Sequence, residues 1–218
     1  MTRNKMLALA ATVAVTLPMC AMQTNQPQHK VIMVPSTPTP LVDPNGDLKW
    51  LVHKAIVVAA PKISPARKKI YESIITHVAL DVFGRRRDYQ KYWIALLGVE
   101  SGYNGAARSS KGAIGLGQLM PAYRKDFGAG CGITQVELAD LSADYLNAYL
   151  SACYLRSLIQ ESGGSVTLAL VAYNAGMYSK DFAKAKQGKQ PSKEPRLYRK
   201  HIMERAGVSP QDSESNHN

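Results

Sequence analysis

The stretch that decides the reading is WIALLGVESGYNGAARSSKGAIGLGQLMP, residues 93–121. An apolar, helix-like run ends on Glu100-Ser101 and gives way at once to glycines and turn formers. A carboxylic acid placed there has a hydrophobic wall behind it and backbone groups in front. Those surroundings disfavour the carboxylate, raise the pKa and let the group donate a proton near neutral pH. A glutamate at a helix end is more often a solvated surface group, so the weight of the reading rests on what accompanies Glu100 along the chain.

The company is ordered. Glu100-Ser101 is followed by Asn104, then by Ser109-Ser110-Lys111-Gly112-Ala113-Ile114-Gly115-Leu116-Gly117-Gln118 with Pro121 beyond. Asn147 comes next, ahead of Tyr154-Leu155, then Ala172-Tyr173-Asn174-Ala175-Gly176, and finally Glu194-Pro195-Arg196-Leu197-Tyr198. This series resembles the catalytic domain of the soluble lytic transglycosylases, relatives of goose-type lysozyme, across about residues 93–198. The chain departs from that pattern at Gly117, where Met is usual, Gly105 for a usual Pro, Ser151 where Gly is common, and Pro195 for Thr. Gly117 is expected to loosen or widen a groove wall.

The resemblance implies a mainly α, lysozyme-like fold with a substrate groove. It also implies cleavage of the β-1,4 bond between MurNAc and GlcNAc in peptidoglycan, leaving 1,6-anhydro-MurNAc ends. Glu100 would protonate the glycosidic oxygen as an oxocarbenium-like state develops. The substrate's N-acetyl group would attack the anomeric carbon, and the Glu100 carboxylate would then take the C6 hydroxyl proton. No cofactor or metal enters this scheme. Asp126, Glu137, Asp140 and Asp144 stand outside the motif positions and are read as surface or capping groups.

Supporting roles carry over with local alternatives beside them. Ser109 is assigned a hydrogen bond to Glu100 or to the acetamido group, or else a turn. Gln118 lines the groove and bonds sugar, or holds the Gly-rich loop. Tyr173 stacks on a sugar or bonds near Glu100. Asn174 faces the cleft or ends its helix before Gly176. Tyr198 contacts Glu100 or packs in the core. Gly112 and Gly115 are read as loop geometry that allows a close approach to ligand.

The chain has 218 residues, 45% of them hydrophobic, enough for one domain with a core plus extensions. Its net charge is +11, from 27 Lys+Arg against 16 Asp+Glu. That excess suits a polyanion such as a cell wall or an anionic membrane face. Nucleic acid is not expected, because no basic helix with interleaved aromatics and no recognisable binding module is present. Arg3 and Lys5 precede an uncharged stretch, Met6–Leu17, so residues 1–21 read as a signal peptide or N-terminal anchor. Cys20 is a lipidation candidate, although Leu17-Pro18-Met19 fits that motif poorly. Export to the periplasm or cell envelope, with membrane anchoring through the N-terminus as one form of it, makes Cys131 and Cys153 candidates for a disulfide. A buried free thiol at Cys153 is the alternative.

Residues 22–46 are rich in Pro, Thr and Gln and read as a tether. Residues 47–207 form the lysozyme-like domain, and residues 208–218 a polar, disordered tail. Helices are expected over about 48–60, 65–83 and 88–100, and at 166–175 and 195–206. Ser64 and Pro65 start the second, with Ile70, Ile74, Ile75 and Val78 on one face. Thr134–Glu137 fits a capping box, Ser142 a cap for a helix striped by Leu146, Leu150, Tyr154 and Leu158, and residues 113–119 a small hairpin. Arg85–Arg87 reads as a solvated basic turn. A muramidase, in which water replaces the C6 hydroxyl, remains open at this point. So does a non-catalytic wall-binding component of a secretion, conjugation, pilus or phage machinery.

Overall fold

The computed structural model describes residues 46–207. The signal, the Cys20 reading, most of the tether and the tail therefore lie outside the described residues. The described chain is helical: α1 (Asp47–Ala59), α2 (Pro65–Phe83), α3 (Arg87–Glu100), α4 (Asp144–Glu161), α5 (Val166–Ala175), α6 (Lys180–Lys186) and α7 (Lys193–Arg205). None of these helices is long and apolar enough to cross a membrane.

Helix α4 is the centre of the packing. It lies against α2 on one side and α5 on another, while α7 closes over α3 and α5. It buries polar as well as apolar residues, among them Asn147 and Ser151, and both serve the site described below. The largest buried side chain, Trp93 on α3, donates from Nε1 to Ser151 Oγ at 3.0 Å. That bond satisfies the only polar atom of the indole, which would otherwise be costly to bury.

Between α3 and α4 the chain forms a loop region with short 3-10 turns at Pro121–Tyr123, Ala129–Cys131 and Ala139–Ser142. Ile114, Leu119, Phe127, Val136, Leu141 and Leu150 give this region its own small core, against which Tyr154 and Tyr173 pack from the main body. Residues 108–119 make isolated antiparallel bridges, Arg108 with Ile114 and Ile114 with Leu119, in place of a regular hairpin. Cys131 is joined to Cys153 with a Cα–Cα distance of 5.4 Å, pinning the loop to α4. Gly130 permits the approach: a Cβ there would collide with the Cys153 carbonyl and come within 2.9 Å of Ser157 N. The bridge closes a separation of 22 residues. Its removal by Cys131→Ala with Cys153→Ala should cost ~3 kcal/mol in the chain-entropy description. Urea unfolding of the oxidised wild type against the double variant measures this, and an unchanged midpoint would contradict it.

Several local expectations need correction. Ile70 is 55% exposed; Ile75 and Val78 are buried as expected, and Tyr71 and Val82 complete the buried face of α2 in its place. From this face the Tyr71 hydroxyl donates to Asp144 and accepts from Gly105 N. Thr134–Glu137 starts no helix: Asp140 Oδ2 accepts the Glu137 amide instead, ahead of a 3-10 turn. Ser142 does not cap α4, whose N-cap is Ala143; its hydroxyl accepts from Arg108. Helix α6 lies in a segment for which no helix was expected. Its N-cap Ser179 accepts from Phe182 N, and Phe182 is its one buried residue.

Candidate active site

Glu100 is the last residue of α3 and keeps part of its surface open. Its carboxyl group is set low enough among neighbours to lose most of its hydration. Burial pushes its pKa up to about 7, and the hydroxyl of Tyr198 opposes part of that rise by donating to Oε1 at 2.5 Å. No other carboxylate contributes to the displacement. The phenols of Tyr173 and Tyr198 are both driven well above their usual range, first by burial and then by the nearby Glu100 charge. The three side chains therefore form one cluster, drawn from the C-terminal ends of α3 and α5 and the middle of α7.

Removing the Tyr198 hydroxyl takes away a donor that favours the ionised acid. Tyr198→Phe is therefore expected to move the alkaline limb of the activity profile from about 7 to higher pH. A pH series of kcat/KM measures the displacement; a limb that stays put or moves down would remove Tyr198 from this role.

Facing this cluster is the Gly-rich loop, and Asn147 fixes it. The Asn147 amide accepts from Gly117 N at 2.8 Å and donates to Ile114 O at 2.9 Å and Leu141 O at 2.8 Å. It is 1% exposed, so each of these bonds replaces water that cannot reach the site. Gly115, at φ 75°, passes so close that a Cβ would sit 2.5 Å from Asn147 Nδ2. Tyr173 completes the clasp by donating to Gly117 O at 2.8 Å. The loop is thus held by α4 and α5 together, on one side by an amide and on the other by a phenol.

Gln118 sits in the left-handed region with φ 47°, a conformation that costs a non-glycine residue about 1–2 kcal/mol. Its Nε2 donates to Gly115 O at 2.9 Å and to Ala107 O at 3.4 Å, so the amide holds the loop. Ser109 is exposed and its hydroxyl accepts the Ala113 amide at 3.0 Å, within its own turn. Asn174 is partly exposed next to the end of α5, which Gly176 closes. Among the described residues no group of three or more His, Cys, Asp or Glu is arranged to hold a metal.

The departures from the family pattern acquire local reasons. Gly105 N donates to the Tyr71 hydroxyl at 3.1 Å, a bond a proline could not make, and Asp144 fills the space a side chain would need. Gly117 does not widen the groove as expected. It is buried, and a Cβ there would overlap that of Ser151 and approach Tyr173 Oη to 3.1 Å. The structural parts of Asn147, Trp93 and Ser151 escaped the sequence reading. For Asn147 and Ser151, a polar residue at helical spacing among apolar ones is a signal of burial.

The family model of the transglycosylase SLT domain matches residues 84–195, spanning α3 to the start of α7. The chain is similar in structure to the 70 kDa soluble lytic transglycosylase of Escherichia coli, with 22% identity and a TM-score of 0.50 over 73% of this chain and 28% of that one. An inactive mutant of the lytic transglycosylase Slt of Pseudomonas aeruginosa is 26% identical over 62% of this chain and 23% of its own, with a TM-score of 0.49. The matched region thus spans about a quarter of the length of either protein. The fold is mainly helical and lysozyme-like. Matched over more than half of its residues, this chain belongs to the transglycosylase SLT domain family.

Proposed function

We propose that the protein is an exported peptidoglycan lytic transglycosylase in which Glu100 alone serves as acid and then as base. The carrying observation is the state of Glu100: its carboxyl is held near pKa 7 by burial, bonded to Tyr198, and unaffected by any second carboxylate. A glycosidase with a paired acid and nucleophile needs two carboxylates facing one bond. Here Asp140 accepts a loop amide and Asp144 the Tyr71 hydroxyl, so both are engaged elsewhere.

The chemistry follows from that state. A neutral Glu100 donates its proton to the bridging oxygen, making the departing sugar a viable leaving group. The acetamido group of the MurNAc residue supplies the nucleophile at the anomeric carbon. Glu100, now ionised, removes the proton of the C6 hydroxyl, which closes on that carbon to form the 1,6-anhydro ring. Both half-reactions draw on a group titrating near 7, where donating and accepting are comparably easy. Ser109, Gln118, Tyr173 and Asn174 are proposed to line the sugar subsites around it. Peptidoglycan strands in the periplasm or envelope are the proposed substrate, and the +11 charge of the chain suits an anionic wall.

The deciding experiment is mass analysis of muropeptides released from purified sacculi. Fragments ending in anhydro-MurNAc, lighter by one water than reducing ends, are the expected product. Reducing ends alone would make the protein a muramidase. No release by a folded, oxidised protein would leave a wall-binding role for the same groove.

A further inference from the structure

Behind the catalytic helix lies a second feature that the proposed chemistry does not use. Helices α1, α3 and α7 enclose a cavity of about 250 Å³ whose apolar lining includes Trp50, Leu51, Val58, Ile94 and Tyr103. The volume suits one or two side chains rather than a sugar strand. At its mouth Trp50 is 60% and Val58 72% exposed, and Val57 next to them is 42% exposed. Large apolar side chains clustered in this way on one helix face mark interaction surfaces. Every charged residue lining the cavity is a cation: Lys54, Lys91 and Arg205. Lys54 rests over the Trp50 ring at 4.4 Å, and Arg205 donates to Gly98 O at 3.2 Å on the cavity floor.

We propose that this cavity is a docking site for a partner protein segment that offers an apolar side chain flanked by carboxylates. The apolar side chain would enter between Trp50 and Tyr103, while acidic neighbours meet Lys54, Lys91 and Arg205. Tryptophan and arginine, both present here, are among the residues that most often anchor interfaces. The site bears on the acid as well. Helix α7 bonds to α3 twice, through Arg205 at Gly98 and through Tyr198 at Glu100. An occupant that reaches Arg205 therefore touches the same helix pair that holds the proton donor.

The test uses the full chain in its Glu100→Gln form and short synthetic peptides as probes. Each peptide carries one central Leu, Phe or Trp, flanked in one set by Glu and Asp and in the other by Lys. Amide resonances of Ala55, Ala95 and Gly98 should shift with the acidic set and not with the basic set. Affinity should fall at least about tenfold in Trp50→Ala, and by a similar factor in Lys54→Glu with Lys91→Glu, both confined to exposed positions. Equal response to both peptide sets, or none, overturns the proposal. So does a response to phosphatidylglycerol vesicles alone, which would make the face a membrane contact. Shifts of the same resonances in Asp212→Asn with Glu214→Gln, which keeps the chain length, would identify the chain's own acidic end as the occupant and equally overturn it. Because binding is read directly, these outcomes do not depend on whether the protein cuts glycan.

Discussion

Glu100→Gln is expected to lower glycan cleavage by at least ~10²–10⁴-fold, the range typical of a lost general acid. The amide keeps the size of the side chain and still accepts from Tyr198, so groove and substrate binding should survive. What disappears is the transferable proton in the first step and the base in the second. The same substitution should change stability in the opposite sense. Below about pH 4.5 the acid is protonated in folded and unfolded chains alike and contributes no difference. Between there and about 7 the unfolded chain releases the proton while the folded one retains it, so stability falls as pH rises and levels off above 7. The neutral amide has no such loss. The variant should be more stable than wild type at about pH 8, on the order of 2–3 kcal/mol, and indistinguishable from it at about pH 4. Muropeptide release and urea unfolding at both pH values test the pair of effects. Near-full activity in the folded variant would falsify the acid assignment, and equal stability at both pH values would place the carboxyl in water.

The parts of this site that could be read from sequence are those whose chemistry is local. Glu100 follows an apolar run and precedes glycines, and the ending of α3 needs nothing more distant than that. Ser64 with Pro65, and Ser165 with Gly176, announce helix ends through bonds made within a turn. Contacts between distant segments were legible only as positions in a pattern. Tyr198 stood at a motif position, yet its bond to Glu100 spans 98 residues and depends on how α7 lies across α3. Asn147 also stood at a motif position, and only the folded loop shows its three bonds. Ile70 misled because α2 offers apolar residues on more than one face, and the choice of buried face was made by Tyr71 reaching Asp144 and Gly105.

The contact of Gly117 with Ser151 yields the second large effect. The family pattern favours Met and Gly at these places, whereas here the small residue is in the loop and the side chain is on α4. Gly117→Ala puts a Cβ into that of Ser151, with Ser151 Oγ at 2.9 Å and Tyr173 Oη at 3.1 Å. Neither Cβ can turn away without moving backbone, and the Gly117 backbone is fixed through both N–H and C=O. Overpacking of this kind costs ~1–3 kcal/mol. Activity should fall with stability, because the clasp that is forced apart is the loop facing Glu100. Ser151→Ala should not rescue Gly117→Ala, since its Cβ remains. Ser151→Gly should rescue it in part, removing the overlap but leaving Trp93 Nε1 without its acceptor and a glycine inside α4, which costs ~1 kcal/mol. A double-mutant cycle should therefore give a favourable coupling of ~1–3 kcal/mol for the Gly–Ser exchange, and almost none when alanine takes the place of Ser151. Urea unfolding of the wild type, the three single variants and the two doubles supplies every term. Additive energies in the glycine cycle would mean that the loop yields freely and that Gly117 is not held against α4.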